Sequence, residues 1–327
     1  MLVVSDFYKG IKHSLAKPTS HHWCVLAAVI AIDVIWIYVG GYRVSSKSLI
    51  SLSFGALCIL MMIGFISYGR DRDDLAGVVN WASGTLFLVP FSIATVVLSY
   101  LASSIDMPLI DPDLVSIDHA LDFNWVGLLN FVNYHADFGR LLSAIYFTAF
   151  PQLALIVLFL GLTRRVDTMR ELIDIYWISL ITTIALSALF PAVDPYSFYA
   201  LNLSHFPVVK PYAGIVFLPD YLALRSGTFH TFNFGSMEGI IAFPSFHASL
   251  AIMMTWALRQ KPWLLILGSI YNSLMIIASL TEGGHYLSDV IIGCLIVCLT
   301  IAIRHHLTQP KAIPATTAPL QASRGFD

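Results

Sequence analysis

Residues 242–258 read AFPSFHASLAIMMTWAL. Pro244 and Ser245 open an apolar run, and His247 falls in the first turn of the helix that this run predicts. Proline suits that position because the N–H it lacks has no helical partner there. Serine suits it because its hydroxyl can cap the turn. An ionisable ring at the edge of hydrocarbon is costly and marks a functional position. Pro244 to Arg259 is 16 residues, ~24 Å of helix at 1.5 Å per residue. That is shorter than a hydrocarbon core of ~30 Å. His247 is therefore expected slightly below the membrane surface, where a lipid head group can arrive sideways while its chains stay in the bilayer.

The rest of the chain agrees with a membrane setting. Of 327 residues, 57% are hydrophobic and 12% charged, with a mean hydropathy of +0.76; soluble domains carry roughly 25% charged residues. A net charge of -2 argues against a nucleic-acid partner. Cys24, Cys58, Cys294 and Cys298 lie in apolar runs without zinc-ligand or disulfide-framework spacing. Eight windows are long and apolar enough to span: 22–40, 48–69, 80–103, 140–162, 171–193, 241–259, 263–281 and 285–304. The fold class expected is all-α, a polytopic membrane helix bundle of about eight transmembrane helices. With the N-terminus inside, thirteen Lys and Arg fall in cytoplasmic segments. Only Arg43, Lys47, Arg140, Lys210 and Arg225 fall outside, so both termini are expected to be cytoplasmic. The first window follows Lys9, Lys12 and Lys17 with no small-residue cleavage site, and reads as a retained anchor. Residues 1–139 hold three spans and an acidic amphipathic outer segment, 140–304 the catalytic domain, and 305–327 a cytoplasmic tail of disordered composition.

A second stretch, SLTEGGHYLSDVIIG at 279–293, carries the partner chemistry. Gly283 and Gly284 break one helix, and His285 and Asp289 open the next. Four residues apart on a helix, they share a face. Asp289 can then hold the proton-bearing nitrogen of His285 and leave the other nitrogen free to attack. The topology brings His247 and His285 to the same outer end of the bundle, at two helix N-termini. Such termini offer unpaired N–H groups and a positive dipole end to an anion. Two histidines, a carboxylate and two helix starts point to phosphoryl transfer: His285 attacks phosphorus, and His247 protonates the departing oxygen and then activates the incoming one. Ser245 caps its helix or meets a phosphate oxygen. The same residue types also match a facial metal triad, and Asp33 and Asp174 inside spans also match an ion path.

PSFH followed by GHYLSD resembles the second and third signatures of the type 2 phosphatidic acid phosphatase superfamily, over about residues 140–304. AFPSFHAS and GGHYLSD look closest to its inositol phosphorylceramide synthase-like branch. The resemblance implies a helical membrane bundle without metal or cofactor, with His247 as acid/base, His285 as nucleophile and Asp289 as its partner. The chain departs from the family pattern in three places. Phe246 replaces a glycine of Pro-Ser-Gly-His, Ala278-Ser279 stands where Ser-Arg is expected, and no Lys-x6-Arg-Pro occurs. The candidate phosphate-binding residues are thus Arg225, Ser245, Phe246, Gly284 and Lys210, with Arg140 a further cation on that side. A phosphomonoester carries about -1.5 to -2 charges, so this depletion fits a diester better.

The function expected is hydrolysis of a membrane lipid phosphate ester at the non-cytoplasmic face, because water needs no second lipid site. The alternative is transfer of the phosphorylated head group to a lipid hydroxyl. A non-enzymatic transporter is the alternative of a different class, but the paired interrupted helices common in transporters are missing from the sequence.

Overall fold

The structure is a computed structural model and describes residues 20–209, 211 and 215–308. It is a helical bundle. The order is α1 (Ser20–Val39), α2 (Ser46–Gly69), α3 (Ala76–Ser103), α4 (Asp111–Ala120), α5 (Trp125–Tyr134), α6 (Ala136–Tyr146), α7 (Ala149–Leu162) and α8 (Val166–Leu189). After these come the short α9 (Pro195–Phe198) and α10 (Leu218–Arg225), then α11 (Phe246–Ala257), α12 (Pro262–Thr281) and α13 (Leu287–Thr308). One two-residue parallel pairing, β1 (Arg43–Val44) with β2 (Thr231–Phe232), joins the α1–α2 connection to the segment ahead of α11. The chain is an integral membrane protein.

Each of the eight apolar windows becomes helix, but they are not eight equal spans. Among the described residues, six helices, α1, α2, α8, α12 and α13 among them, are long and apolar enough to cross a bilayer. A seventh is the pair α6–α7, bent by 53°. The window that holds His247 is α11, only 12 residues long, ~18 Å of helix. The bend in α6–α7 brings Tyr146, the last residue of α6, to the end of the bundle where α11 begins.

Lipid chains are as apolar as leucine, so burial alone does not hold membrane helices together; close packing and polar contacts between helices do. α3 is the central helix and packs on α1, α7 and α8. It contributes Phe87 and Phe91 to a core shared with Leu153 and Leu160 of α7, Met169 and Tyr176 of α8, and Leu250 and Met254 of α11. α3 and α7 approach closely at Gly161, where a Cβ would stand 2.6 Å from the Trp81 backbone. At the end of the bundle away from His247, Asp174 of α8 accepts from His22 Nε2 of α1 at 2.8 Å and from Arg304 Nε of α13 at 2.9 Å. Glu171 pairs with Arg259. Asp174 thus makes the helix–helix bonds that keep an intramembrane carboxylate tolerable.

Candidate active site

The starts of α11 and α13 are bonded to each other. The Ser245 N–H donates to the Asp289 carbonyl at 3.1 Å, and Ser249 Oγ donates to the Gly293 carbonyl at 2.8 Å. Gly293 permits this crossing, because a Cβ there would collide with the Ser245 carbonyl. Ser245 is fully buried, and its Oγ accepts from the Ala248 N–H at 3.4 Å, the helix-capping role. It does not line the cavity described below.

His285 lies in the connection just before α13 rather than on the helix. Gly284, at φ +63°, supplies the left-handed turn that directs the chain into it. His285 Nδ1 stands 2.6 Å from the Ala242 carbonyl. A carbonyl oxygen only accepts, so Nδ1 carries the proton and Nε2 presents its lone pair. Asp289 faces the same nitrogen with Oδ2 at 3.6 Å. Its closer donor is the Tyr286 N–H, at 2.8 Å. The orienting group expected from the sequence is therefore at hand, but a backbone carbonyl 43 residues away sets the tautomer.

His247 is stacked on Tyr146, with ring centroids 4.3 Å apart and planes at 21°, and its Nδ1 is 3.3 Å from the Tyr146 hydroxyl. Phe150 meets the same ring edge-on. Both imidazoles line one cavity of about 490 Å3. Its walls come from Ser92, Thr95 and Ser99 of α3, Tyr176 and Leu180 of α8, Phe246 of α11, and residues 237–242 of the preceding segment. No lysine or arginine is among the described residues that line it.

The segment 111–125 folds over this end of the bundle. Asp118 is buried and accepts from the N–H groups of Leu287 at 2.8 Å and Ser288 at 2.9 Å. The Trp125 indole N–H donates to the His285 carbonyl at 3.0 Å. Asp111 accepts from the Tyr286 hydroxyl at 2.9 Å and from the Val193 N–H. Burial raises the Asp111 carboxyl above the usual carboxylate range. Burial likewise pushes the Tyr286 phenol up, with Asp111 beside it adding to the shift. Asp194, which caps α9, is pushed up to about 6, again mainly by burial. These contacts correct one expectation. The first N–H groups of α13 are not open to an anion, because Asp118 and Asp289 already hold them.

The candidate phosphate ligands scatter. Phe246 lines the cavity, whereas Gly284 does not and its neighbour Gly283 does. Arg225 is turned away, donating to Asp106 at 3.1 Å and to the Met107 carbonyl at 2.7 Å. Arg140 pairs with Asp137 on the surface. Lys210 lies outside the described residues. Sequence reasoning missed Tyr146, Ala242, Asp111, Asp118, Trp125 and Glu238. The only signal for any of them was the acidic, amphipathic character of the outer segment.

Fold and site together define a membrane-embedded helical bundle that presents two imidazoles to one cavity, His285 with its tautomer set by the Ala242 carbonyl and His247 packed on Tyr146. Residues 112–303 match the PAP2 superfamily, well over half of the chain. The chain belongs to that superfamily, whose members are phosphatases and phosphotransferases. Comparisons with curated proteins and with solved structures gave no match.

Proposed function

We propose that the chain is a lipid phosphohydrolase that works through a phosphohistidine at His285, on the non-cytoplasmic side of the membrane. The observation that carries this reading is the shared cavity, entered by His247 and by His285 with its Nδ1 bonded to the Ala242 carbonyl. The lone pair on His285 Nε2 forms the N–P bond, and the bond from phosphorus to the leaving oxygen breaks. His247, which takes up its second proton when the phosphate anion binds beside it, gives its Nε2 proton to that oxygen. It keeps the proton on Nδ1, directed at the Tyr146 hydroxyl. Water then loses a proton to His247 Nε2 and attacks phosphorus, and the N–P bond breaks. Asp289 and the Ala242 carbonyl stabilise the positive charge that the phosphorylated imidazole carries.

The phosphorus label of a 32P-lipid should be trapped on the wild-type protein in an alkali-stable, acid-labile bond, and be lost in His285→Ala. Label retained by His285→Ala would remove the assignment of the nucleophile.

A second reading is transfer of the phosphorylated head group to a lipid hydroxyl, as in the inositol phosphorylceramide synthase-like branch that the motifs resemble. The cavity lining without lysine or arginine favours it, since a diester carries less charge than a phosphomonoester. The two readings separate on acceptor dependence: a transferase makes a new lipid only when a hydroxylated acceptor is supplied.

A further inference from the structure

The charges around the cavity are of the wrong sign for a simple phosphate. Its one lining carboxylate among the described residues is Glu238, exposed in the segment leading to α11. Glu282 is buried beside Tyr146 and Tyr196, and Asp289 is buried against His285. Arg225, a candidate cation, is already held by Asp106 and the Met107 carbonyl. An anionic substrate alone would meet repulsion here. A substrate that brings its own positive charge would not.

The wall is also rich in aromatic faces: Tyr146, Phe147, Phe150, Tyr176, Phe217 and Phe246 all line the cavity. Aromatic faces next to a carboxylate are the chemistry that holds ammonium groups, because the ring quadrupole attracts a cation that water then solvates less. We propose that the substrate is a zwitterionic phosphodiester lipid, with an amino- or choline-type head group whose ammonium lies between Glu238 and the aromatic wall. This rests on the phosphohistidine reading and adds the head group to it. In the first step His285 Nε2 bonds to phosphorus, the bond to the diacylglycerol oxygen breaks with its electron pair on that oxygen, and His247 supplies the proton. In the second step water replaces the histidine on phosphorus and gives its proton to His247. The products are diacylglycerol and the free phosphorylated amino alcohol.

The test uses the purified full-length chain in mixed micelles. The substrates are phosphatidylethanolamine, phosphatidylcholine, phosphatidylinositol, phosphatidylglycerol and phosphatidate, with soluble glycerophosphoethanolamine as the arm that lacks acyl chains. The enzymes are wild type, Glu238→Gln, Glu238→Asp and His285→Ala. Wild type should favour the two zwitterionic lipids over phosphatidylglycerol by about tenfold or more in kcat/KM. Glu238→Gln should bring that ratio close to one, mainly through KM, and Glu238→Asp should retain most of it. Equal or better turnover of phosphatidylinositol, phosphatidylglycerol or phosphatidate by wild type overturns the proposal, as does an unchanged ratio in Glu238→Gln. Where that happens and turnover still needs His285, only the head-group assignment falls. Turnover that survives in His285→Ala removes the phosphohistidine reading instead. Should no lipid turn over, equal binding of short-chain phosphocholine and phosphoglycerol lipids to wild type overturns the head-group assignment directly.

Discussion

α2 and α11 are both apolar helices of the same bundle, and they share little else. α2 runs for 24 residues, is the most apolar of the long helices, and none of its spanning window is buried in the protein. Its leucines, with Ile50, Met61 and Ile63, face outward. α11 is half that length, is buried along most of one face, and has His247 in its first turn. Hydropathy reports which segments prefer lipid to water. It does not report which segments the protein needs for its chemistry. In this chain the helix too short to cross alone is the one that carries the site, because its start is bonded to α13 and does not have to reach the membrane surface.

That contrast can be tested by substitution, and the largest effect should fall at the site. His285→Ala is expected to lower lipid turnover by about 1,000-fold or more while the protein stays folded, since in the proposed mechanism it removes the attacking nitrogen. Turnover within tenfold of wild type would move the chemistry away from the α11–α13 junction. Next, Gly293→Ala forces a methyl group into the Ser245 carbonyl and should destabilise the detergent-solubilised protein by about 3 kcal/mol, read as a lower Tm. Asp118→Ala leaves two N–H groups at the start of α13 without their acceptor. It should cost about 2 kcal/mol and lower kcat more than it raises KM, with partial recovery in Asp118→Asn.

Two smaller effects sharpen the comparison. The Asp194 carboxyl is raised to about 6 from 3.8, so it binds its proton more tightly folded than unfolded. The stability this supplies is complete below pH 3.8 and is lost as pH rises through 6, a change of about 3 kcal/mol. Asp194→Asn keeps an oxygen for the Ser197 N–H and should remove that slope from a Tm series at pH 3.5–7. At the bottom of the scale, Leu60→Ala in α2, where the side chain is 64% exposed, should change stability by less than about 0.5 kcal/mol. A loss several times larger would mean that α2 packs on protein, as α11 does.

Much of this architecture was legible in the sequence because membrane helices announce themselves by length and composition, and because Pro-Ser-x-His and Gly-His-x3-Asp carry their own helix starts. The convergence of His247 and His285 followed from counting helices. What stayed hidden has a common physical cause. Tyr146, Ala242 and Trp125 reach the histidines across 101, 43 and 160 residues, Asp118 reaches the Ser288 N–H beside them across 170, and such contacts leave no periodic trace. The helix-terminus argument failed for a related reason. A free N-terminus attracts any anion, and the chain supplies its own in Asp118 and Asp289 before a ligand can.

The short strand pair between Arg43–Val44 and Thr231–Phe232 ties the first two helices to the segment that leads into the candidate site. Arg43 donates its N–H to the His230 carbonyl at 2.8 Å, and Ser45 to the Phe232 carbonyl at 2.9 Å. A few residues onward the same strand becomes the rim that carries Met237 and Glu238. The first two helices lie outside the matched segment, yet they work as the anchor post of that rim. Trimming the protein back to its recognisable part would therefore slacken the wall of the cavity that holds Met237 and Glu238.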